Sequence, residues 1–167
     1  MYRRIADFLG DHAAEAEGTL KLFRAVPEEA VRQSVVPGGR TLGRLAWHVT
    51  CSLGEIAHSA RIGTLEPHDD QTGDVPSMAQ ITAAYEASAK AFADLLASQW
   101  TDAMLDDEIE MYGMRWTRGH ALTMVITHQA HHRGQMTVLM RQAGLEVPGI
   151  LGPARQEWAQ WGMAAQK

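Results

Sequence analysis

His128 and His132 lie one helical turn apart and are the residues of this sequence best placed to do chemistry. Apolar residues recur around them at threes and fours, and Val125 and Leu139 fall on the same helical face, so both imidazoles should point into the protein interior. Two adjacent imidazoles buried without partners would be unfavourable, whereas one metal ion can accept both lone pairs. The pair therefore predicts part of a metal site.

A histidine pair at this spacing does not by itself require a metal. The chain has eight histidines among 167 residues, so a pair at i, i+4 can arise by chance. Hydrogen-bonded core histidines, or a histidine at a solvated helix edge, would also give this pattern. A zinc protease of the HExxH kind is excluded, because that motif needs a glutamate directly after the first histidine as general base, and Gln129 stands there.

A third ligand has to come from another helix. His48 is the best candidate because it lies inside a predicted helix, on the flank of its apolar stripe about 60 degrees round from Leu45. Two more residues are candidates for catalytic roles. Glu55, two turns after His48, is a possible general base, and Gln135, one turn after His132, is placed to hydrogen-bond a ligand or a bound water.

Four long amphipathic helices must position these residues. Three of them begin at recognisable caps, which are Thr41, Ser77 with Gln80 in a capping box, and Thr117. The predicted helices run from the start to about 26, from 41 to about 63, from 77 to 99 and from 117 to 144. Residues 63 to 76 are predicted as loop, 109 to 116 as a short extended piece, and Arg155 to Met163 as a short last helix presenting Trp158 and Trp161.

These elements predict an all-α four-helix bundle with a short C-terminal helix. A length of 167 residues fits a single domain, 1–167. The chain is 46% hydrophobic and 21% charged, which is enough apolar material for a substantial core. Long connections between helices, such as the predicted loop from 63 to 76, leave the up-down order of the helices open.

Composition also excludes several classes of partner. The formal charge of -5 argues against binding to nucleic acid, which needs a surplus of basic residues. A membrane partner is not expected, since no apolar stretch approaches the roughly 18 residues that span a bilayer. The single cysteine, Cys51, precludes an internal disulfide and agrees with a reducing compartment. Asp7 and Asp11 interrupt the start where a signal peptide would be apolar, so we expect a cytoplasmic protein.

The segment THQAHHRGQMTVLMRQAGLEVP, residues 127 to 148, resembles the last core helix of the DinB/YfiT-like family. That family's pattern is HxxxHRGQ, followed by an apolar run and a glycine turn. The matching positions are His128, His132, Arg133, Gly134 and Gln135. The family's other ligand lies in its second helix in an LxHL-like context, which LAWHVTCSLGE resembles at His48.

The resemblance implies an up-down-down-up four-helix bundle that frequently pairs into homodimers. It also implies a site in which His48, His128 and His132 hold one divalent metal ion per chain and leave a coordination position open. Zinc is the first choice for such a site, and imidazole also suits nickel, iron or manganese. Family members with assigned activities are S-transferases and isomerases that use bacillithiol, mycothiol or glutathione, and other members have none.

Three functions stay open at this point. They are a metal-dependent thiol S-transferase acting on a small electrophile, a metal-dependent hydrolase, and a non-catalytic bundle that the metal stabilises. A pocket open to the metal would favour an enzyme, whereas a closed site with a fourth protein ligand would favour the last. Besides the resemblance, Trp158 and Trp161 favour a homodimer, because one small domain need not bury them on a short terminal helix.

Overall fold

Four α-helices form the framework of the computed structural model, which describes residues 1–69 and 74–165. They are α1 (Ile5–Arg24), α2 (Leu42–Ser59), α3 (Met78–Gln99) and α4 (Arg118–Gln142). Two strands, β1 (Glu108–Met111) and β2 (Met114–Thr117), and three 3₁₀ helices, Glu28–Ala30, Asp102–Asp106 and Arg155–Trp161, complete the elements of these residues. The predicted all-α bundle is confirmed.

The helices begin at the predicted caps. Thr41 Oγ1 accepts a hydrogen bond from the backbone N–H of Arg44, and Thr117 Oγ1 accepts one from that of His120, each at 3.2 Å. The Ser77–Gln80 capping box has both of its hydrogen bonds. Each cap gives a partner to an N–H that the helix itself leaves unpaired, and this is why short local patterns predicted the helix starts correctly.

Helices α1 and α2 each pack against α3 and α4, so they occupy opposite corners of the bundle. Contacting pairs show that α1 and α3 run in opposite directions: Phe8 with Phe92, and Phe23 with Tyr85. Other pairs show that α1 and α4 run in the same direction: Tyr2 with Gly119, and Glu15 with Arg133.

Helix α2 runs opposite to α4. Leu45 and Leu139 line one cavity between these helices, whereas Ile56 and Met124, further along α2 and earlier in α4, line another. The order is therefore up-down-down-up, as the family resemblance implied. One apolar cluster with members on all four helices fills the centre, and α2 packs directly against α4.

Residues 109 to 116, predicted as a single extended piece, form most of an antiparallel hairpin. Met111 pairs with Met114 across a two-residue turn of Tyr112 and Gly113, whose φ angles are 54 and 72 degrees. Two-residue hairpin turns of this kind need positive φ at both positions, which glycine adopts readily and tyrosine does not. The usual Asn-Gly signal is absent, so the sequence did not reveal the turn.

The C-terminal segment is shorter and tighter than predicted. Its 3₁₀ helix ends at Trp161, two residues before the predicted end, because Gly162 adopts a left-handed conformation with a φ of 66 degrees. The predicted loop from 63 to 76 is free of helix and strand over 63–69 and 74–76, and 70–73 lie outside the described residues. Across the described ranges every helix is too short or too polar to cross a membrane.

Candidate metal centre

The side-by-side packing of α2 and α4 brings His48 to the His128/His132 pair. The Nε2 atom of His128 lies 3.3 Å from Nε2 of His48 and 3.1 Å from Nε2 of His132. One ring nitrogen from each of the three residues falls within 4.8 Å of the others. We call these three residues the histidine cluster. His132 is buried and the other two are half-buried.

The geometry of the histidine cluster fits a divalent ion. Ligands about 2.0 to 2.1 Å from a tetrahedral zinc ion stand about 3.3 to 3.4 Å apart, close to the two separations observed here. Two neutral imidazoles that meet nitrogen to nitrogen can share one proton, but Nε2 of His128 faces two such nitrogens. A cation that accepts all three lone pairs satisfies the whole cluster at once.

Gln135 orients one of the three rings. The Nδ1–H of His132 donates to Oε1 of Gln135 at 2.7 Å, so the Nε2 of His132 keeps its lone pair towards the other two histidines. The sequence had suggested that Gln135 bonds either a ligand or a bound water, and in the structure its partner is the histidine. Its role is thus to position a candidate ligand.

Replacement of Gln135 should therefore weaken metal binding without unfolding the protein. We expect Gln135→Ala to raise the zinc dissociation constant about 10- to 100-fold, the usual effect of losing such a partner. Competition with a chromophoric zinc chelator measures this. Gln142→Ala, an exposed change on the same helix, is the matched control. Equal zinc affinity in Gln135→Ala and the control would contradict this positioning role.

Burial and mutual repulsion favour the uncharged form of His128 and His132. Burial, followed by the neighbouring His132 and His48, lowers the pKa of His128 to about 4. Burial is also the main cause that lowers the pKa of His132. The positive charge of Arg40 also lowers the pKa of both rings. Since metals bind neutral imidazole, these two rings are in the binding form at neutral pH.

One side of the histidine cluster opens into a cavity of about 170 Å³, which we call the Glu55 cavity. Its lining is His48, Ser52, Glu55, Ile56, Tyr112, Met124 and His128. Over residues 1–69 and 74–165 the group of possible metal ligands contains the three histidines and no fourth histidine, cysteine or carboxylate. The donors therefore face a space that a small molecule can enter, as in catalytic rather than structural zinc sites.

Glu55 and Tyr112 form the outer wall of this cavity. Burial of the ring and then the neighbouring Glu55 carboxylate raise the pKa of Tyr112 to about 12, so its hydroxyl keeps its proton at neutral pH. The sequence placed Glu55 near His48 on one helical face, and the structure places both in one cavity. Tyr112 and Ser52 were missed. The one local signal near Tyr112 was Gly113 inside an extended segment, because a glycine there can accommodate a turn.

Arg133, the arginine of the HRGQ segment, has a structural role. Its guanidinium forms a buried ion pair with the Glu15 carboxylate and donates to the Glu15 carbonyl at 2.7 Å and to Thr19 Oγ1 at 3.0 Å. Thr19 in turn donates to the buried Gln129. This network joins α1 to α4 directly beside His132, so it fixes the helix that carries two members of the histidine cluster.

A separate histidine, His12, is buried in the core of the bundle and is only 2% exposed. Its ring lies against Phe8 and Phe92, and its Nε2–H donates to the carbonyl of Ala89 at 3.0 Å. Burial lowers the pKa of His12 below 6.5, and the hydrogen bond opposes part of that shift. His12 is thus held neutral by the apolar core, apart from the histidine cluster.

We therefore expect the metal-free protein to lose stability as the pH falls below about 6.5. In that range the unfolded chain takes up a proton at His12 that the folded chain resists, which lowers the free energy of unfolding by at most about 1.4 kcal/mol per pH unit for this group. Urea denaturation in EDTA from about pH 7.5 to 5.5 measures the slope. His12→Leu should reduce it, with the exposed His58→Gln as control. An unchanged slope in His12→Leu would refute this assignment.

Comparison with known proteins agrees with the resemblance of the sequence. The model of the DinB family matches residues 1–163. The protein YrdA of Bacillus subtilis (strain 168) is 42% identical over 168 residues, which cover 100% of this chain and 99% of YrdA. Both matches therefore span positions 48, 128 and 132 of this chain.

Solved structures share the same architecture. A DinB-like protein from Bacillus cereus ATCC 10987 superposes with a TM-score of 0.84 at 38% identity, covering 90% of this chain and 99% of its own. YjoA, a DinB-like protein from Bacillus subtilis, gives a TM-score of 0.67 at 18% identity over 86% of this chain and 97% of its own, which is a likeness of fold alone. Because the DinB family model matches residues 1–163 and the Bacillus cereus DinB-like protein is 38% identical over 90% of this chain, the chain belongs to the DinB family.

Proposed function

We propose that this protein is a metal-dependent enzyme that transfers a low-molecular-weight thiol to a small electrophile. The observation that carries this proposal is the convergence of three imidazole nitrogens beside the Glu55 cavity of about 170 Å³. A site with a purely structural role would instead be expected to close around its ion with four protein ligands. A cytoplasmic location, where such thiols are kept reduced, fits this activity.

A divalent ion bound there, with zinc the first choice and nickel, iron or manganese the alternatives, would supply the positive charge that favours the thiolate form of a thiol at neutral pH. The residues of the chain provide the remaining functions. The Glu55 carboxylate is placed to accept the proton that the thiol loses. The Tyr112 hydroxyl, which keeps its own proton, can donate a hydrogen bond to negative charge that develops on the electrophile.

A panel of nucleophiles tests this proposal. Zinc-loaded protein is mixed with chlorodinitrobenzene and, in turn, glutathione, bacillithiol, mycothiol or water. We expect a thiol to be conjugated faster than in the uncatalysed reaction, and His128→Ala to remove the acceleration. His131→Ala, a neighbouring exposed histidine, is the matched control and should keep it. Glu55→Gln should lower the rate about 100- to 10,000-fold if Glu55 is the general base.

Two results would overturn the assignment. Zinc-dependent turnover with water and with none of the thiols would identify a hydrolase, whose chemistry the same cavity supports. Equal rates for wild type and His128→Ala across several electrophiles would leave a non-catalytic, metal-stabilised bundle as the better account.

We also propose that the chain forms a homodimer through its C-terminal segment. Trp161 and Leu151 are 70% and 83% exposed, so this segment presents apolar surface that a second copy can cover. Light scattering at tens of micromolar should give twice the chain mass, and Trp161→Glu should shift the protein towards monomer. Met114→Glu, an exposed apolar position on the hairpin, is the control. A monomeric wild type at that concentration would refute the dimer.

A further inference from the structure

A second cavity, of about 340 Å³, lies on the other side of the histidine cluster along the groove between α2 and α4. Leu45 precedes His48 by about one turn of α2, and Leu139 follows Gln135 by about one turn of α4. The Glu55 cavity uses the opposite stretches of the same helices, after His48 and before His128. The histidine cluster therefore separates two cavities, and we call the larger one the Arg40 cavity.

The Arg40 cavity is apolar except at two points. Its lining is Val35, Gly39, Arg40, Leu45, Gln135, Val138 and Leu139. The polar groups are thus one guanidinium and one amide, and neither is an acid. A volume of this size falls within the roughly 300 to 1,000 Å³ that small-molecule sites occupy, and a few convergent polar groups on apolar walls are typical of them.

The guanidinium of Arg40 has no carboxylate partner in residues 1–69 and 74–165, although Arg118 and Arg133 are both paired. It lies close enough to act electrostatically on both His128 and His132. Three neutral imidazoles would not neutralise a divalent ion between them, and the carboxylate of Glu55 lies in the other cavity, so that ion and Arg40 together would give this end of the groove a net positive charge. An anion is the complementary ligand.

Gln135 connects the Arg40 cavity to the histidine cluster. Its Oε1 accepts from His132, and its amide nitrogen makes no hydrogen bond to the described part of the chain. That NH₂ group can donate to an acceptor in the cavity, while the oxygen of the same amide holds a candidate metal ligand. A molecule bound to Gln135 and Arg40 would thus be fixed relative to the metal centre.

We propose that the Arg40 cavity binds the carboxylate end of the small-molecule thiol, with its sulfur directed towards the histidine cluster. This step rests on the proposed thiol transfer. One guanidinium offers the forked pair of N–H donors that matches a carboxylate, and the apolar walls receive the uncharged part of the molecule. A phosphate, which carries more charge and more acceptors, would call for further basic residues. The sulfur then lies at the histidine cluster between the two cavities, and the second substrate enters through the Glu55 cavity, where Glu55 can accept the thiol proton.

Binding measurements separate this proposal from the catalytic one. Isothermal titration of zinc-loaded protein with S-methylglutathione, which keeps both carboxylates and has no free thiol, reports the Arg40 cavity without turnover. Arg40→Gln should weaken this binding at least tenfold, and Arg40→Lys less. Arg32→Gln, an exposed arginine that lines a different cavity, should bind as the wild type does. Zinc affinity should stay within about threefold in every variant.

A second binding test compares ligands that do and do not carry a carboxylate. Bacillithiol and glutathione carry carboxylates, whereas mycothiol does not, so we expect only the first two to lose affinity in Arg40→Gln. Esterified S-methylglutathione should bind wild type and Arg40→Gln equally. The proposal is wrong if the Kd of Arg40→Gln for S-methylglutathione is within twofold of the wild-type value. It is also wrong if neither S-methylglutathione nor bacillithiol binds the wild type with a millimolar or lower Kd. Arg40-dependent binding without turnover would reject the transferase alone.

Discussion

Purified protein should carry about one divalent metal ion per chain, and the double substitution His128→Ala/His132→Ala should abolish that binding. Two of the three imidazoles would be lost, and one remaining histidine holds an ion several orders of magnitude less tightly than three converging ones. Elemental analysis of wild type and variant after reconstitution with zinc measures the stoichiometry. A wild type that retains no more metal than the double variant would refute the metal centre.

The single substitution His48→Ala tests the contribution of α2 to the same site. It should weaken zinc binding by orders of magnitude while far-UV circular dichroism stays unchanged, because the three Nε2 atoms converge from two helices that the apolar core holds in place. His131→Ala, on the exposed face beside His132, should leave zinc affinity unaltered. Unchanged affinity in His48→Ala would place the third ligand elsewhere, with Glu55 the next position to test.

Arg133→Met should be the most destabilising of the substitutions considered. The side chains of Arg133 and Glu15 are 4% and 15% exposed, so removal of the guanidinium leaves a buried carboxylate without its partner. Breaking a buried ion pair in this way costs about 3 to 5 kcal/mol of the free energy of unfolding. Urea denaturation of metal-free protein measures that loss apart from any effect of the metal.

Two further variants isolate the cause. Adding Glu15→Gln to Arg133→Met should recover part of the lost stability, since the uncompensated charge is then removed. Arg115→Met breaks an ion pair with Glu108 whose side chains are 81% and 60% exposed, and should change stability by less than about 1 kcal/mol. A loss below about 1 kcal/mol for Arg133→Met would show that the buried pair does not stabilise the contact between α1 and α4.

The substitutions at His128, His132 and Arg133 act on one stretch of α4, which both carries candidate metal ligands and holds the bundle together. His128 and His132 face α2, whereas Gln129 and Arg133 face α1 and α3. Four polar residues therefore lie on two inward faces of one helix, and the apolar stripe is interrupted where a simple amphipathic pattern would continue it. Most of these polar atoms meet a partner from another helix, whereas His128 Nδ1 and Gln129 Nε2 are buried without a hydrogen bond to the described part of the chain.

Local rules account for what the sequence by itself determined. Helix starts follow from Thr41, Ser77 and Thr117, because a capping side chain bonds a backbone N–H only a few residues away. The convergence of His128 and His132 follows from the pitch of one helix in the same way. The position of His48 inside a predicted helix made it the best third ligand, and the family resemblance supported that choice and added the order of the helices.

Contacts between distant segments decided the rest. Tyr112 reaches the Glu55 cavity through a hairpin turn with positive φ, and Arg40 comes beside Gln135 because α2 packs against α4. Neither relation follows from a local period, since each depends on how the core fills the space between helices. The sequence thus determined the histidine pair and the helices that carry it, whereas only tertiary packing created the two cavities, because a cavity is the space that several separate elements leave between them.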